Sequence, residues 1–135
     1  MPPKDEFLAA ALAEAEKGRD EGGIPIGSVL VRDGVIIGRG HNRRVQEGSV
    51  IHHAEMNCLE NAGRLAPSVY REATLYTTLS PCSMCAGAAA LFGVKKVVIG
   101  ENRTFEMSED FLRSKGIDVE VVDDAECYKI LQDFI

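Results

Sequence analysis

The sequence lacks any apolar stretch that approaches the roughly 20 residues needed to span a membrane. It also has no repeat, no low-complexity segment and no signal-peptide pattern near its start, so we expect a cytoplasmic protein without long disordered tails. Hydrophobic residues make up 45% of the chain, enough to bury a core. We therefore expect a single domain covering residues 1–135.

Positive charge is scarce as well. Lysine and arginine number 15 against 21 acidic residues, and the formal net charge is -6. No basic cluster exceeds two consecutive residues, as at Arg43 and Arg44. Because phosphate backbones attract basic surfaces, this balance disfavours a nucleic-acid partner.

Cysteine occurs only four times, and its positions favour two different roles. Cys58 and Cys127 lie inside helical patterns, where a thiol acts as a small apolar core residue. Cys82 and Cys85 form a Cys-x-x-Cys pair with no secretory signal in the chain. In a cytosolic protein that spacing indicates metal or redox chemistry more often than a disulfide.

Hydrophobic periodicity and turn residues predict an alternation of helices and strands. The predicted helices cover residues 5–18 (ended by Gly18), 53–62 (ended by Gly63), 83–92, 108–115 and a last segment capped by Asp123 or Asp124. The predicted strands cover residues 24–31, 35–40, 74–78, 96–99 and 119–122, the first two joined by a hairpin at Asp33 and Gly34. This order predicts an α/β fold, a three-layer α/β/α sandwich on a mixed five-stranded sheet.

Two residues earlier in the chain, His53 and Glu55, indicate what chemistry the cysteine pair supports. Cys82 and Cys85 alone also fit a redox pair or two buried thiols, but His53 completes the three-ligand set that leaves one zinc position open. Glu55 is then the candidate acid/base beside that position, although residues two apart on a helix diverge, so spacing alone does not aim it there. At helix starts, we expect both thiols to have lowered pKa values. His41 and His52 are interpreted as ordinary core or surface histidines.

His53-Ala54-Glu55 and Pro81-Cys82-Ser83-Met84-Cys85 match the H-x-E and P-C-x-x-C signature of zinc-dependent nucleobase deaminases. Residues 22–27, 38–42 and 77–82 resemble the fungal cytosine deaminase branch of this cytidine-deaminase-like superfamily. The resemblance implies one Zn²⁺ per chain on His53, Cys82 and Cys85, with Glu55 as the catalytic acid/base. It also implies a homodimer, joined by helices near the site, that hydrolyses a free nucleobase, cytosine, to uracil and ammonia.

The same resemblance implies a substrate pocket. Asn42 would hydrogen-bond the base, the backbones of Ala54 and Ser80 would contact its polar edges, and Ile26, Leu79 and Phe105 would form the walls. The residues themselves leave purely structural roles open, because Ile26 and Leu79 also suit a strand core and Asn42 also suits a turn.

Two departures from the fungal pattern keep other functions open. Ala54 and the run Cys85-Ala86-Gly87-Ala88 are more similar to bacterial tRNA adenosine deaminases. The fungal tail that closes over the pyrimidine has no counterpart among these residues. Isocytosine, guanine or creatinine deamination and tRNA adenosine deamination are therefore alternatives. A structural zinc module, with His41 or His52 as a fourth ligand, is a non-enzymatic alternative.

Overall fold

A computed structural model describes residues 5–135, and every predicted helix and strand is present in it. The helices are α1 Glu6–Asp20, α2 Arg44–Glu47, α3 Ala54–Ala62, α4 Pro67–Arg71, α5 Ser83–Phe92, α6 Glu109–Ser114 and α7 Ala125–Phe134. The strands are β1 Gly27–Arg32, β2 Val35–His41, β3 Thr74–Leu79, β4 Lys96–Glu101 and β5 Asp118–Val121. The short helices α2 and α4 were not predicted, because four or five residues are too few to show a helical period. None of the described helices is long and apolar enough to cross a membrane.

The five strands form one mixed sheet in the order β2-β1-β3-β4-β5. Strand β1 is antiparallel to both neighbours, whereas β3, β4 and β5 run parallel. The β1–β2 turn has positive φ angles at Asp33 (52°) and Gly34 (74°), as expected for a tight hairpin. The predicted mixed sheet is therefore confirmed, with a second antiparallel pair, β1–β3, beyond the predicted hairpin.

Two apolar cores, one on each face of the sheet, make the fold a three-layer sandwich. One core joins α1 and α7 through Leu8, Leu12, Ala15, Cys127 and Ile130. The other joins α3, α5 and α6 to the opposite face and includes Cys58, Leu75, Ala86, Val97 and Leu112. Cys58 and Cys127 are both fully buried, which confirms them as core thiols, and burial raises the pKa of Cys58 to about 12.

The predicted end of the first helix is wrong. Helix α1 continues through Gly18 to Asp20, and Gly22 (φ 86°) follows it in the left-handed region. Gly18 faces the ring of His41, and a Cβ there would lie 3.1 Å from His41 Cδ2. This glycine therefore permits a close contact between α1 and β2, where the sequence suggested a helix stop.

Strand boundaries also differ from the prediction near one end of the sheet. Strand β1 begins at Gly27, so Ile24 lies in the preceding loop. Strands β3 and β4 extend to Leu79 and Glu101, further than predicted. The β3 extension carries the chain to the turn that holds Cys82, and the β4 extension carries it to the loop that contains Phe105.

Candidate active site

The three predicted metal ligands meet where α3 and α5 begin. His53 is the N-cap of α3, Cys82 is the N-cap of α5, and Cys85 lies in the first turn of α5. Their ligand atoms all lie within 4.8 Å of one another. Within residues 5–135 this is the one such cluster of metal-ligating side chains.

The spacing of these atoms fits a zinc ion. His53 Nδ1 lies 3.6 Å from Cys82 Sγ and 3.6 Å from Cys85 Sγ. Zinc–sulfur bonds of about 2.3 Å and zinc–nitrogen bonds of about 2.05 Å, at a tetrahedral angle, would separate nitrogen and sulfur by about 3.6 Å. The donor set and its geometry therefore match a tetrahedral site with three protein ligands.

The histidines considered as a fourth ligand lie elsewhere. His41 is bonded on both ring nitrogens, to Glu14 Oε1 at 3.2 Å and to Glu21 Oε1 at 2.9 Å. His52 Nδ1 lies 2.5 Å from Glu47 Oε1. Neither histidine belongs to the described ligand cluster, so the closed four-ligand site of a structural zinc module gains no support.

The expected lowering of the thiol pKa values is wrong for Cys85. Burial raises the pKa of this thiol well above its usual range, and the neighbouring Glu55 carboxylate raises it further. Desolvation therefore outweighs the helix start, and a bound cation would have to supply the charge that makes Cys85 a thiolate. Burial lowers the pKa of His53, which favours the neutral imidazole that a metal requires.

Glu55 lies beside the ligand cluster. Its two-residue spacing from His53 was not enough to predict this position. His53 has extended backbone angles (φ -66°, ψ 163°), so it stands outside the helical period that would separate the two side chains. The Glu55 side chain is buried, and burial raises the pKa of its carboxyl to about 7 against a lowering hydrogen bond with Cys85. A carboxyl in this state can both accept and donate a proton near neutral pH.

A cavity of about 200 Å³ opens in front of the ligands. Its lining includes His53, Cys82, Glu55 and five of the predicted substrate residues: Ile26, Asn42, Leu79, Ser80 and Phe105. Ala54, predicted to contribute only its backbone, is fully buried and is not among the residues that line the cavity. Sequence reasoning missed two lining residues, Ile24 and Arg44. Arg44 follows Asn42 by two residues, the spacing of an Asx turn, but that pattern places the Arg44 backbone and does not predict that the residue lines a cavity.

Asn42 combines the two roles that the sequence left open. Its Oδ1 accepts the Arg44 N–H at 3.0 Å, which makes it a turn residue, and it also borders the cavity. Its backbone N–H donates to the Ile26 carbonyl at 2.9 Å. The turn fixes the side-chain oxygen, so the amide nitrogen remains as the donor for a ligand.

An α/β/α sandwich that brings two cysteines, one histidine and a buried carboxylate to a small cavity defines a zinc-dependent hydrolytic deaminase. Residues 1–101 match the family model described as the cytidine and deoxycytidylate deaminase zinc-binding region. The chain belongs to this family.

Individual relatives extend the match. The chain is 50% identical over 129 residues to a cytosine deaminase of Candida albicans, covering 95% of this chain and 86% of the relative. It is 46% identical over 101 residues to a tRNA-specific adenosine deaminase of Bacillus subtilis, covering 74% of this chain and 63% of the relative. A chain from structural studies of tRNA:A34 deaminases superposes with a TM-score of 0.78 at 30% identity, covering 93% of this chain and 99% of that one.

Proposed function

We propose that this protein hydrolyses cytosine to uracil and ammonia. The observation that carries the proposal is that Glu55 and two of the three ligands line one cavity of about 200 Å³. This volume lies below the roughly 300 to 1,000 Å³ of most ligand pockets, which favours a small substrate. The Candida cytosine deaminase, 50% identical over 95% of this chain, supports cytosine as the ring.

Each site residue has a role in this proposal. His53, Cys82 and Cys85 would hold zinc, which when bound activates water for attack on the amine-bearing carbon. Glu55 would accept one proton from water and deliver it to the ring nitrogen, and would then accept the proton of the added hydroxyl and deliver it to the departing amine as the C–N bond breaks. The buried position of Glu55 beside Cys85 supports this role.

The remaining lining residues orient the base. The Asn42 amide nitrogen donates a hydrogen bond to it, and the backbones of Ala54 and Ser80 contact its polar edges. The side chains of Ile26, Leu79 and Phe105 pack against the ring and exclude water. An exocyclic amine left without an acceptor would cost about 1 to 3 kcal/mol, so these polar contacts decide which base binds.

An ammonia-release screen tests the substrate. Zinc-loaded protein would be incubated with cytosine, isocytosine, guanine, adenine, creatinine and cytidine, with a His53→Ala variant as the control that lacks a complete ligand set. We expect faster release from cytosine than from cytidine, because a cavity of about 200 Å³ suits a small substrate. Preferred release from guanine, adenine or creatinine would overturn cytosine as the substrate.

Deamination of adenosine in tRNA is the second candidate. Ala54 and the 46% identity with the Bacillus enzyme favour it, whereas the net charge of -6 opposes it. Binding of tRNA that weakens steeply with salt would revive this candidate. Absence of binding at low ionic strength would eliminate it.

We also propose a homodimer that uses an apolar face formed by the loop before α3 and the C-terminal end of α5. Four exposed apolar side chains lie there: Val50 (77% exposed), Ile51 (58%), Leu91 (78%) and Phe92 (41%). Ile51, Leu91 and Phe92 also line an apolar cavity of about 640 Å³ between α3 and α5. Burying such a patch against a second copy removes apolar surface from water.

Sedimentation at micromolar concentration tests this assembly. We expect a dimer for the natural chain and a monomer for Leu91→Asp, because the new carboxylate would be buried in the interface. Val35→Asp, at a 60% exposed position on β2, is the matched control and should remain dimeric. A monomeric natural chain would contradict the proposal.

The wider setting of this activity is also proposed. We place it in the cytoplasm, in pyrimidine salvage, with residues 1–135 acting as one domain. The single sheet that joins all described strands supports the one-domain organisation.

A further inference from the structure

A second buried carboxylate lies behind the cavity, and the mechanism above does not use it. Glu109, the first residue of α6, is only 6% exposed. Its Oε2 accepts the Ser80 hydroxyl at 2.7 Å and the Asn102 side-chain amide at 3.1 Å. Burying a carboxylate among neutral donors costs desolvation free energy. The buried position of Glu109 therefore indicates a role in holding its neighbours in place.

The first partner, Ser80, is part of the cavity wall. It is 3% exposed, borders the cavity and precedes Pro81 and the ligand Cys82. Its backbone N–H donates to the Glu101 carbonyl at 3.0 Å, and its hydroxyl is bound by Glu109. The Ser80 carbonyl is therefore the polar group of this residue that remains for a base.

The second partner, Asn102, begins the loop that carries Phe105 to the cavity. The fully buried Glu101 carboxylate fixes this loop by accepting the N–H of Arg103 at 2.8 Å and that of Thr104 at 3.0 Å. Glu109 follows this loop in the sequence and accepts a hydrogen bond from the side chain of Asn102, the first residue of the loop. Glu109 is therefore hydrogen-bonded both to Ser80 and to the loop that carries Phe105, so one side chain holds both walls of the cavity.

We propose that Glu109 is a positioning residue for base recognition. It acts through the Ser80 hydroxyl and the Asn102 amide, holding the Ser80 carbonyl and the Phe105 ring at the separation that a single base requires. The inference rests on the proposed function for the identity of that base. Because Glu109 contacts neither the zinc ligands nor Glu55, its effect falls on substrate binding more than on the chemical step.

Steady-state kinetics with Glu109→Gln provides the test. A glutamine keeps the volume but places an NH₂ group against one of two donors, so we expect KM for cytosine to rise about tenfold. We expect kcat to change less than about twofold, and zinc content to stay at one per chain. Asp110→Asn, the neighbouring carboxylate on the outer surface of α6, is the matched control and should leave KM unchanged.

A double-mutant cycle with Ser80→Ala shows whether the hydroxyl transmits the effect. Ser80→Ala alone should raise KM by a similar factor, and adding Glu109→Gln should raise it little further. This smaller variant also provides the test if Glu109→Gln fails to fold. Unchanged KM, equal losses of kcat and zinc, or fully additive effects would each overturn the inference.

Amide hydrogen exchange separates this inference from the choice of substrate. Faster exchange at residues 102–105 in Glu109→Gln, with no change in Asp110→Asn, would support the positioning role even if cytosine proved not to be the substrate. In that case the kinetic test is repeated with the base found in the screen. Unchanged exchange there would overturn the positioning role even if cytosine is deaminated.

Discussion

At the scale of single residues, Glu55 and Cys85 show how burial prepares a metal site. Burial raises the pKa of both groups, which favours the thiol form of Cys85 and brings the pKa of Glu55 to about 7. A divalent cation reverses this preference for its thiol ligand by supplying the missing charge. A Glu55 carboxyl with a pKa of about 7 can then accept a proton from water and pass it to a substrate.

Replacing Glu55 by glutamine tests whether Glu55 transfers protons while the three ligands hold the metal. The amide cannot carry a proton between water and the leaving group, so we expect kcat to fall about 10² to 10⁴-fold. The three zinc ligands are untouched, so zinc content measured by atomic absorption should remain one per chain. A variant that releases ammonia as fast as the natural chain would show that Glu55 is not the proton shuttle.

At the scale of elements, the site depends on how closely α3 lies against β2. Gly38 and Gly40 of β2 face this helix, and a Cβ on Gly40 would lie 2.4 Å from Asn57 Oδ1 and 2.6 Å from the Cys58 backbone nitrogen. Asn57 Oδ1 also accepts the His41 N–H at 3.0 Å. Glycine therefore sets the distance between the sheet and the helix that begins at the metal ligand His53.

Gly40→Ala should reveal this contact. Because helix backbone cannot retreat as a flexible side chain can, we expect the free energy of unfolding to fall by about 3 kcal/mol in urea denaturation. The control, Val35→Ala, lies on the same strand at a 60% exposed position and should change stability by less than about 0.5 kcal/mol. Equal stability of the two variants would contradict a close helix–sheet contact.

At the scale of the whole molecule, the predicted zinc ion would tie α3 to α5. Each helix packs on the same face of the sheet and contributes its first turn or N-cap to the ligand cluster. A metal that binds only the folded chain stabilises it by mass action, by about 4 kcal/mol when free zinc is 1,000 times the Kd. The two apolar cores do not depend on the ligands, so the metal adds to a fold that already exists.

Chelation should therefore lower the melting temperature without abolishing the fold. Differential scanning calorimetry of the natural chain, with and without a strong chelator, should show a large difference that added zinc reverses. In His53→Ala the two curves should nearly coincide, because the ligand set is incomplete. A natural chain with the same melting temperature in both conditions would contradict a tightly bound zinc.

Local signals in the sequence predicted much of the fold. The Asp33–Gly34 hairpin, the N-cap of α7 at Asp124 and the limits of α5 all agree with the structure, because turn residues, caps and helical periods act over a few neighbours. Gly18 misled the prediction because its role depends on His41, which is distant in sequence. The position of Glu55 relative to the ligands also depended on the extended backbone at His53.

The sequence by itself determined the order of the five strands and the five longer helices, and it identified a candidate set of ligands, since periodicity and the H-x-E and P-C-x-x-C motifs are local patterns. Tertiary structure decided what surrounds them. Only the sheet order and the packing of α3, α5 and α6 bring Arg44 and Ile24 to the cavity and Glu109 behind Ser80. Burial, which raises the pKa of Glu55 and Cys85, likewise comes from residues distant along the chain, and no short motif encodes it.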